Sequence, residues 1–317
     1  MSQDVTASIK ARLLIQAKQA EVEFQLYLVR YACERFLYRL GVSRYRERCC
    51  LKGAGLLALW MPDPYRGTRD LEFLASGPND ETSVRELMST VCAVACPEDG
   101  LSFDLDTLEV MQIRAEEEYE GKRARVTARL GKARIRFQVD FGFGGTVTPT
   151  PEERDYPTLL PEIPAPRIRA YPREVSIAEK FEAMVSLGRR NSRMKDFHDI
   201  WALSSVFAFW GPVLREAVTS CFDRRETRWE DEPPDVLCPA FYENRELQAT
   251  WSGYLGSSAF MNPPPTAFET IGDRVRGFLG PVRECIVADH TPFQMHWPVG
   301  GPWRPGTEPG DGTGAVV

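Results

Sequence analysis

The stretch from Cys49 to Leu74 constrains the fold of this chain more than any other, and it reads CCLKGAGLLALWMPDPYRGTRDLEFL. A short apolar run over 49–52 stops at a Gly-Ala-Gly turn, and an apolar segment at helical density follows over 56–61. After a Pro-Asp-Pro breaker, residues 68–74 begin to alternate between polar and apolar side chains. The pattern predicts a strand, a tight turn, a short helix and a second strand.

Two carboxylates share one face of the second predicted strand. Because residues two apart in a strand point to the same side, Asp70 and Glu72 would lie side by side, with their apolar neighbours facing a core. The small-residue turn 53–55 has Lys52 at its lip, and a helix that begins there offers free N–H groups to phosphate. We interpret the stretch as a site for a divalent metal and a phosphate chain. A turn that needs small residues only for packing is the alternative.

Composition limits the class of protein. A chain of 317 residues can hold two domains, and a formal net charge of −6 argues against non-specific coating of nucleic acid, although not against a local basic cleft. We expect no membrane span, because no apolar run is long enough, and the N-terminus resembles a charged amphipathic helix rather than a targeting signal. The eight cysteines form no CxxC pattern, so we expect buried thiols in a reducing cytoplasm.

The rest of the chain predicts an α+β protein. Two helices are expected over 5–23 and 24–41, and a period of two over 101–140 indicates four short strands. A proline-rich segment over 146–175 predicts an extended linker, followed by a mostly helical half. The predicted divisions are an α/β domain over 1–165, a helical domain over 166–290, and a disordered Gly/Pro-rich tail over 291–317.

Further candidate acids and cations lie outside the central stretch. Asp140 ends the last predicted strand, immediately before a glycine-rich segment, and is either a third acid of the site or a turn residue. Lys180 lies beside the apolar face of a predicted helix over 176–187. The next helix reads RMKDFHDIW, and its spacing predicts that Lys195, Asp196 and Asp199 share one face.

That last pattern has two interpretations. A solvated helix with a surface salt bridge is the simpler one. However, four cations crowd into seven residues of an otherwise acidic chain, which suits a polyphosphate or nucleic acid: Arg189, Arg190, Arg193 and Lys195.

Taken together, four spaced segments resemble the AbiEii/AbiGii family of nucleotidyltransferase toxins, a branch of the polymerase-beta-like nucleotidyltransferases. The segments are LKGAGLLALW, YRGTRDLEFL, QVDFGFG and AEKFEAMVSLGRRNSRMKDFHDIW. The resemblance runs from the N-terminal helices to about residue 225, and more loosely to about residue 285. It implies a polymerase-beta-like mixed sheet with N-terminal helices, followed by a helical C-terminal domain.

The resemblance also implies roles for individual residues. In the family a small pair holds the nucleotide triphosphate and an Asp-x-Asp on a strand holds magnesium, and Asp70 and Glu72 match those acids. The implied nucleotide-binding residues are Lys52, Gly53, Ala54, Gly55, Arg66, Thr68, Arg193 and Lys195. The implied catalytic residues are Asp70, Glu72, Asp140, Lys180, Asp196 and Asp199.

The activity that the resemblance implies is nucleotide transfer from an NTP to an acceptor hydroxyl, with Mg²⁺ (or Mn²⁺) as cofactor and the tRNA 3′ end or another RNA as acceptor. The family's context is the type IV toxin–antitoxin system, which implies an AbiEi-like antitoxin as partner and a role in abortive infection and phage defence. We expect a cytoplasmic monomer.

Two departures from the family pattern favour alternatives. Ala54 replaces a second Gly or a Ser, and Glu72 replaces the second Asp, which moves the carboxylate outward by one methylene. Mg²⁺ requires near-ideal octahedral geometry. One alternative is therefore a catalytically weak or inactive relative that acts by binding a nucleotide. The other is an enzyme that nucleotidylates a protein.

Overall fold

The computed structural model describes residues 3–61, 70–113, 121–257, 260, 262–288 and 293–306. The chain divides into two compact units. The first comprises Met1–Thr146 with Pro151–Tyr171, and the second comprises Val147–Thr150 with Pro172–Val317. The fold class is α+β with a mixed sheet, as predicted. None of the helices in the described part of the chain combines the length and apolar character that crossing a membrane requires.

The first unit is built on a seven-stranded mixed sheet in the order β3-β4-β5-β2-β1-β7-β6. Its strands are β1 (Cys49–Lys52), β2 (Leu71–Ala75), β3 (Leu101–Gln112), β4 (Lys122–Leu130), β5 (Ala133–Phe143), β6 (Glu152–Asp155) and β7 (Arg167–Ala170). Its helices are α1 (Gln3–Gln19), α2 (Phe24–Val42), α3 (Gly55–Trp60) and α4 (Glu81–Cys92).

One face of this sheet is apolar and is covered by α2. Phe36 of that helix is fully buried, and its ring lies 5.0 Å from Phe137 and 6.4 Å from Phe73 between centroids. Arg39, one turn further, forms a buried ion pair with Asp99 at 2.6 Å. The alternation predicted for the second strand is confirmed, because residues 71, 73 and 75 are buried while 72 and 74 are half-buried. The polar residues of the strands therefore lie on the opposite face.

Two differences from the sequence prediction concern strands, and a third concerns the domain boundary. The four short strands expected over 101–140 are three, because the first two are one long strand, β3, interrupted by a register shift between Asp104 and Glu109. The expected linker contains β6 and β7, and β7 pairs parallel with β1. Buried Ile168 and Ala170 alternate with arginines in β7, a period that the surrounding prolines concealed. The first unit consequently extends to Tyr171, past the boundary predicted at 165.

The second unit is mostly helical, with α5 (Arg173–Leu187), α6 (Met194–Val206), α7 (Gly211–Arg224), α8 (Pro239–Tyr242), α9 (Arg245–Ser257) and α10 (Phe268–Val287). It also contains a small antiparallel sheet in the order β10-β9-β8, formed by β8 (Phe209–Trp210), β9 (Met295–Trp297) and β10 (Arg304–Pro305). Phe197 of α6 is fully buried and packs against Phe241 and Phe268, with ring centroids 5.8 Å and 5.3 Å away.

The prediction of a disordered tail is wrong for residues 293–306. Trp297 is 3% exposed, its ring lies 4.8 Å from Phe278, and its indole N–H donates to the carbonyl of Ser204 at 2.8 Å. Trp303 stacks on the same phenylalanine at 5.8 Å. Two tryptophans supply the apolar surface that the Gly/Pro-rich composition concealed. Residues 291–292 and 307–317 of the predicted tail lie outside the described residues.

Candidate functional site

The predicted turn at Gly53 is a close-packed corner between β1 and α3. Gly53 has a φ of +68°, in the left-handed region that favours glycine, and its carbonyl accepts a hydrogen bond from the N–H of Leu56 at 3.2 Å. A Cβ atom at this position would lie 2.6 Å from the carboxyl carbon of Glu72. The glycine is therefore required both by the turn and by the carboxylate that packs against it.

Four polar side chains form a row across four neighbouring strands, which we call the polar row: Lys52, Glu72, Asp140 and Arg123. Lys52 of β1 is in register with Glu72 of β2, Glu72 is in register with Asp140 of β5, and Asp140 is in register with Arg123 of β4. Residues in register on adjacent strands share a face, and neighbouring strands lie about 4.8 Å apart. All four side chains are half-buried. The sheet thus brings together Lys52, Glu72 and Asp140, which the sequence placed in separate motifs.

Arg123 is a member of the row that the sequence interpretation missed. Its Nε and Nη2 atoms donate to the two carboxylate oxygens of Asp140 at 2.8 Å and 2.7 Å, a bidentate pair. A signal was available, since a two-residue turn at Gly131-Lys132 brings residue 123 opposite residue 140 when the flanking strands pair without a shift. The pair fixes the orientation of the Asp140 carboxylate.

Asp70 lies immediately before β2, on the polar side of the sheet. Its Oδ2 atom accepts a hydrogen bond from the side-chain amide of Gln138 at 3.5 Å. Gln138 lies two residues before Asp140 on β5, so both side chains are on the same face. Asp70, Glu72 and Asp140 therefore all belong to one region of the sheet. Arg66 and Thr68, the remaining predicted nucleotide-binding residues of this stretch, lie outside the described residues.

The acids of the sheet can be compared with the ligands that a divalent metal requires. Among the residues that the structure describes, no group of three or more His, Cys, Asp or Glu side chains is arranged to hold an ion. Arg123 engages both oxygens of Asp140, which leaves Asp70 and Glu72 as a pair. Mg²⁺ in nucleotide enzymes is commonly bound by one or two carboxylates together with substrate phosphates. Two carboxylates beside a glycine turn fit a metal that arrives with the triphosphate.

The second group of candidate residues lies in the helical unit, where Lys180 of α5 reaches two aspartates of α6. Its Nζ atom lies 2.8 Å from Asp199 Oδ2 and 3.1 Å from Asp196 Oδ1. Arg193 adds a third contact, with Nε 2.7 Å from Asp196 Oδ2. His198 completes the group, with Nδ1 3.3 Å from Asp199 Oδ1. We call these five residues the Lys180 cluster.

The Lys180 cluster is buried. Asp196 is 1% exposed and Asp199 is fully buried, while Lys180 is 9% exposed. Burial acts to raise the pKa of Asp196, but the charges of Lys180 and Arg193 outweigh it and hold this pKa below its usual range. Asp196 is thus an ionised group, and both aspartates have cationic partners that are built into the fold.

The prediction that Lys195 shares a face with the two aspartates is wrong. Lys195 is exposed, whereas Asp196 and Asp199 are buried against α5. The solvated-helix interpretation is excluded for the same reason. Helical spacing alone could not reveal that Lys180, from another helix, neutralises the acids. His198, which had no predicted role, is fully buried, and its ring lies 5.1 Å from that of Phe260.

Comparisons with known proteins show what this chain is similar to. No curated protein matches the sequence. The structure is similar to a protein from H. pylori described as a nucleotidyltransferase, with a TM-score of 0.45, 13% identity, and coverage of 87% of this chain and 99% of that one. It is also similar to JHP933 from Helicobacter pylori, with a TM-score of 0.45, 12% identity, and coverage of 80% and 90%.

Residues 35–274 match the family described as nucleotidyl transferase AbiEii toxin, type IV TA system. This range includes the Gly53 turn, the polar row and the Lys180 cluster. The match spans well over half of the 317 residues. The chain therefore belongs to the AbiEii family of nucleotidyltransferase toxins of type IV toxin–antitoxin systems.

Proposed function

We propose that this nucleotidyltransferase transfers a nucleotide from an NTP to an acceptor hydroxyl of RNA, with the 3′ end of tRNA as the acceptor and Mg²⁺ (or Mn²⁺) as the cofactor. The observation that carries the proposal is the contact between the Gly53 turn and Glu72, in register with Lys52 and Asp140. A cation, two acids and a turn free of bulky side chains meet on adjacent strands. This is the set of groups that a metal-bound triphosphate requires.

The triphosphate end of the NTP is assigned to the first unit. Asp70 and Glu72 would hold the divalent ion, which when bound neutralises phosphate charge and polarises the reacting phosphate. Lys52 would neutralise the triphosphate beside them, and its register with Glu72 at the end of β1 supports this assignment. The backbone at 53–55 can approach the phosphates closely, since no side chain larger than a methyl group projects from it.

Asp140 is assigned to the acceptor. Its carboxylate is held by Arg123 through two hydrogen bonds, so its oxygens are fixed at the position that the sheet gives them. A carboxylate fixed in this way can orient an acceptor hydroxyl and receive its proton. The acceptor oxygen then bonds to the α-phosphorus of the NTP as the bond between the α- and β-phosphates breaks and pyrophosphate leaves. We assign Arg123 as the residue that positions Asp140.

The Lys180 cluster is assigned to charge stabilisation. Asp196 and Asp199 each contact a cation directly, so we assign them to orient Lys180 and Arg193 rather than to act as bases. Lys180, Arg193 and the exposed Lys195 would then act on the nucleotide, stabilising the charge that develops during phosphoryl transfer.

A second candidate function is nucleotide binding without catalysis. The longer Glu72 at a metal-ligand position favours it, because Mg²⁺ tolerates little displacement of its ligands. Modification of a protein hydroxyl is a further possibility within the same chemistry. The identity of the macromolecule that becomes labelled distinguishes transfer to RNA from transfer to protein.

The biological setting follows from the family. Membership in a type IV toxin–antitoxin family implies an antitoxin partner. We propose that this partner is AbiEi-like, that the system acts in abortive infection and phage defence, and that the chain is monomeric. All eight cysteines are free thiols, and seven are buried, which suits the reducing cytoplasm that we propose as its location.

One incubation tests the proposal. The protein is mixed with Mg²⁺, each labelled NTP in turn and total RNA, and the products are treated with RNase or protease. Label that RNase removes supports transfer to RNA, whereas label that only protease removes assigns the acceptor as protein. Thermal stabilisation by an NTP with no label in either fraction would contradict catalysis and support the binding function.

A further inference from the structure

The polar face of the sheet carries more arginine than the chemistry of nucleotide transfer needs. Beyond the polar row, four arginines of β4 and β5 point to this face, and we call them the arginine face: Arg125, Arg129, Arg134 and Arg136. Three of them, at 125, 134 and 136, are exposed, in a chain whose formal net charge is −6.

Acidic residues balance only part of the arginine face. Arg129 pairs with Asp104, with Nη2 2.6 Å from Oδ2, and Arg125 is in register with Glu109 of β3. Arg134, by contrast, is in register with Arg129, and Arg136 with Thr127. Like charges directly opposite in a sheet repel each other. Within the described residues, no hydrogen bond or ion pair is found for Arg134 or Arg136, so their guanidinium groups are available to a ligand.

The arginine face is continuous with the candidate site. Arg134, Arg136 and Asp140 lie on the same side of β5, two and four residues apart. At roughly 3.4 Å per residue, Arg136 lies about 14 Å from Asp140 along the strand, and Arg134 about 20 Å. A polyanion whose end reaches Asp140 would therefore pass over the two arginines a few phosphate groups further along its chain.

We propose that the arginine face binds the sugar–phosphate backbone of the RNA acceptor and directs its 3′ end to Asp140. The inference rests on the proposed transfer to RNA and names the surface that holds the acceptor. Arginine matches phosphate geometry with two parallel hydrogen bonds. A protein partner fits less well, because the core of a protein interface is built on apolar and aromatic anchors, whereas the side chains of this face are arginine, threonine, glutamine and aspartate.

The chemistry of this face also predicts how RNA is bound. Base recognition by a sheet commonly uses aromatic side chains on which bases stack, whereas guanidinium groups contact phosphates. The arginine face therefore reads shape and charge rather than sequence. Binding should be strongly weakened by salt, as expected for phosphate contacts that release counterions.

The test compares an Arg134→Gln/Arg136→Gln variant with wild type and with a matched control, Arg154→Gln/Arg167→Gln. The control removes two exposed arginines from the opposite edge of the same sheet, so the net charge changes equally. The measurements are the Kd for a fluorescent RNA hairpin with a single-stranded 3′ end at several salt concentrations, and the Kd for NTP. RNA labelling gives kcat/KM for the acceptor.

The glutamine variant should bind the hairpin at least tenfold more weakly than wild type at low salt. The magnitude of the slope of log affinity against log salt concentration should fall by about 1.4–1.8, the value expected for the loss of two phosphate contacts. NTP binding and the control should match wild type, and Arg134→Lys/Arg136→Lys should recover most of the RNA binding. Hairpin binding by the glutamine variant equal to wild type would overturn the proposal, as would a wild-type protein that binds no RNA. If the glutamine variant loses hairpin binding but wild type labels no RNA, the arginine face is supported as an RNA-binding surface and the proposed nucleotide transfer is refuted.

Discussion

At the scale of single residues, the site depends on one glycine and one carboxylate in contact. At Gly53 a positive φ and close packing coincide, because the missing Cβ leaves space for the carboxylate of Glu72. The sequence predicted a small-residue turn beside two acids. It could not show that the turn and Glu72 touch, since that contact depends on the antiparallel register of β1 and β2.

Gly53→Ala should damage both stability and nucleotide binding. The added methyl group meets the Glu72 carboxyl group at 2.6 Å, and a φ of +68° is unfavourable for alanine. The left-handed conformation alone costs roughly 1–2 kcal/mol, and displacement of Glu72 adds to it. Chemical denaturation and NTP titration would measure the two effects.

Gly145→Ala is the matched control for this substitution. No atom lies within 4 Å of a Cβ built at that position, so stability and NTP affinity should stay near wild type. Equal behaviour of the two variants would mean that the turn does not require its glycine.

At the scale of elements, the short-range patterns were predicted well and the tertiary ones were not. The strand–turn–helix–strand order of the central stretch follows from local periodicity and is confirmed by β1, α3 and β2. The bulge in β3 and the short β7 were missed, because a register shift and flanking prolines break the period on which the prediction relied. The pairing of Lys180 with α6 was missed because it joins residues from two helices.

Lys180→Met should strongly destabilise the protein. It leaves Asp196 and Asp199 buried without their shared cation, and breaking a buried ion pair from one side costs roughly 3–5 kcal/mol. Lys195 is exposed on α6, the helix that carries the two aspartates, so Lys195→Met should change stability by less than about 0.5 kcal/mol. Urea unfolding of the two variants makes the comparison, and similar losses would contradict the burial of the acids.

The same cluster predicts a pH dependence. The pKa of Asp196 in the folded state lies below its ordinary value of 3.8, so its contribution to stability is complete above that value and is lost as pH falls below it. Without Lys180, burial should raise this pKa, and the loss of stability should begin at higher pH. Unfolding free energies of wild type and Lys180→Met between pH 3 and pH 7 would show whether the difference has this sign.

At the scale of the whole molecule, residues 293–306 are part of the folded helical unit of this member of a nucleotidyltransferase toxin family. The sequence interpretation treated glycine and proline after residue 290 as a sign of disorder. The tryptophans of that segment favour order, because the buried ring of Trp297 and the half-buried ring of Trp303 both pack against Phe278 of α10.

Trp297→Ala should therefore lower stability by roughly 3–5 kcal/mol, the usual cost of removing a large buried aromatic side chain. The ring is 3% exposed and its N–H is bonded to Ser204, so truncation leaves both a cavity and a lost hydrogen bond. Thermal unfolding would measure the loss. An unchanged Tm would mean that the segment contributes nothing to the fold.

The central claim is that Asp70 and Glu72, beside the Gly53 turn, form the nucleotide and metal site of a working transferase. Incorporation of labelled NTP with Mg²⁺ and RNA, measured for wild type and for Asp70→Asn, tests it most directly. The predicted result is that Asp70→Asn keeps wild-type stability, because its half-buried side chain tolerates the amide, and loses incorporation by at least a hundredfold. Wild-type incorporation by the Asp70→Asn variant would contradict the claim.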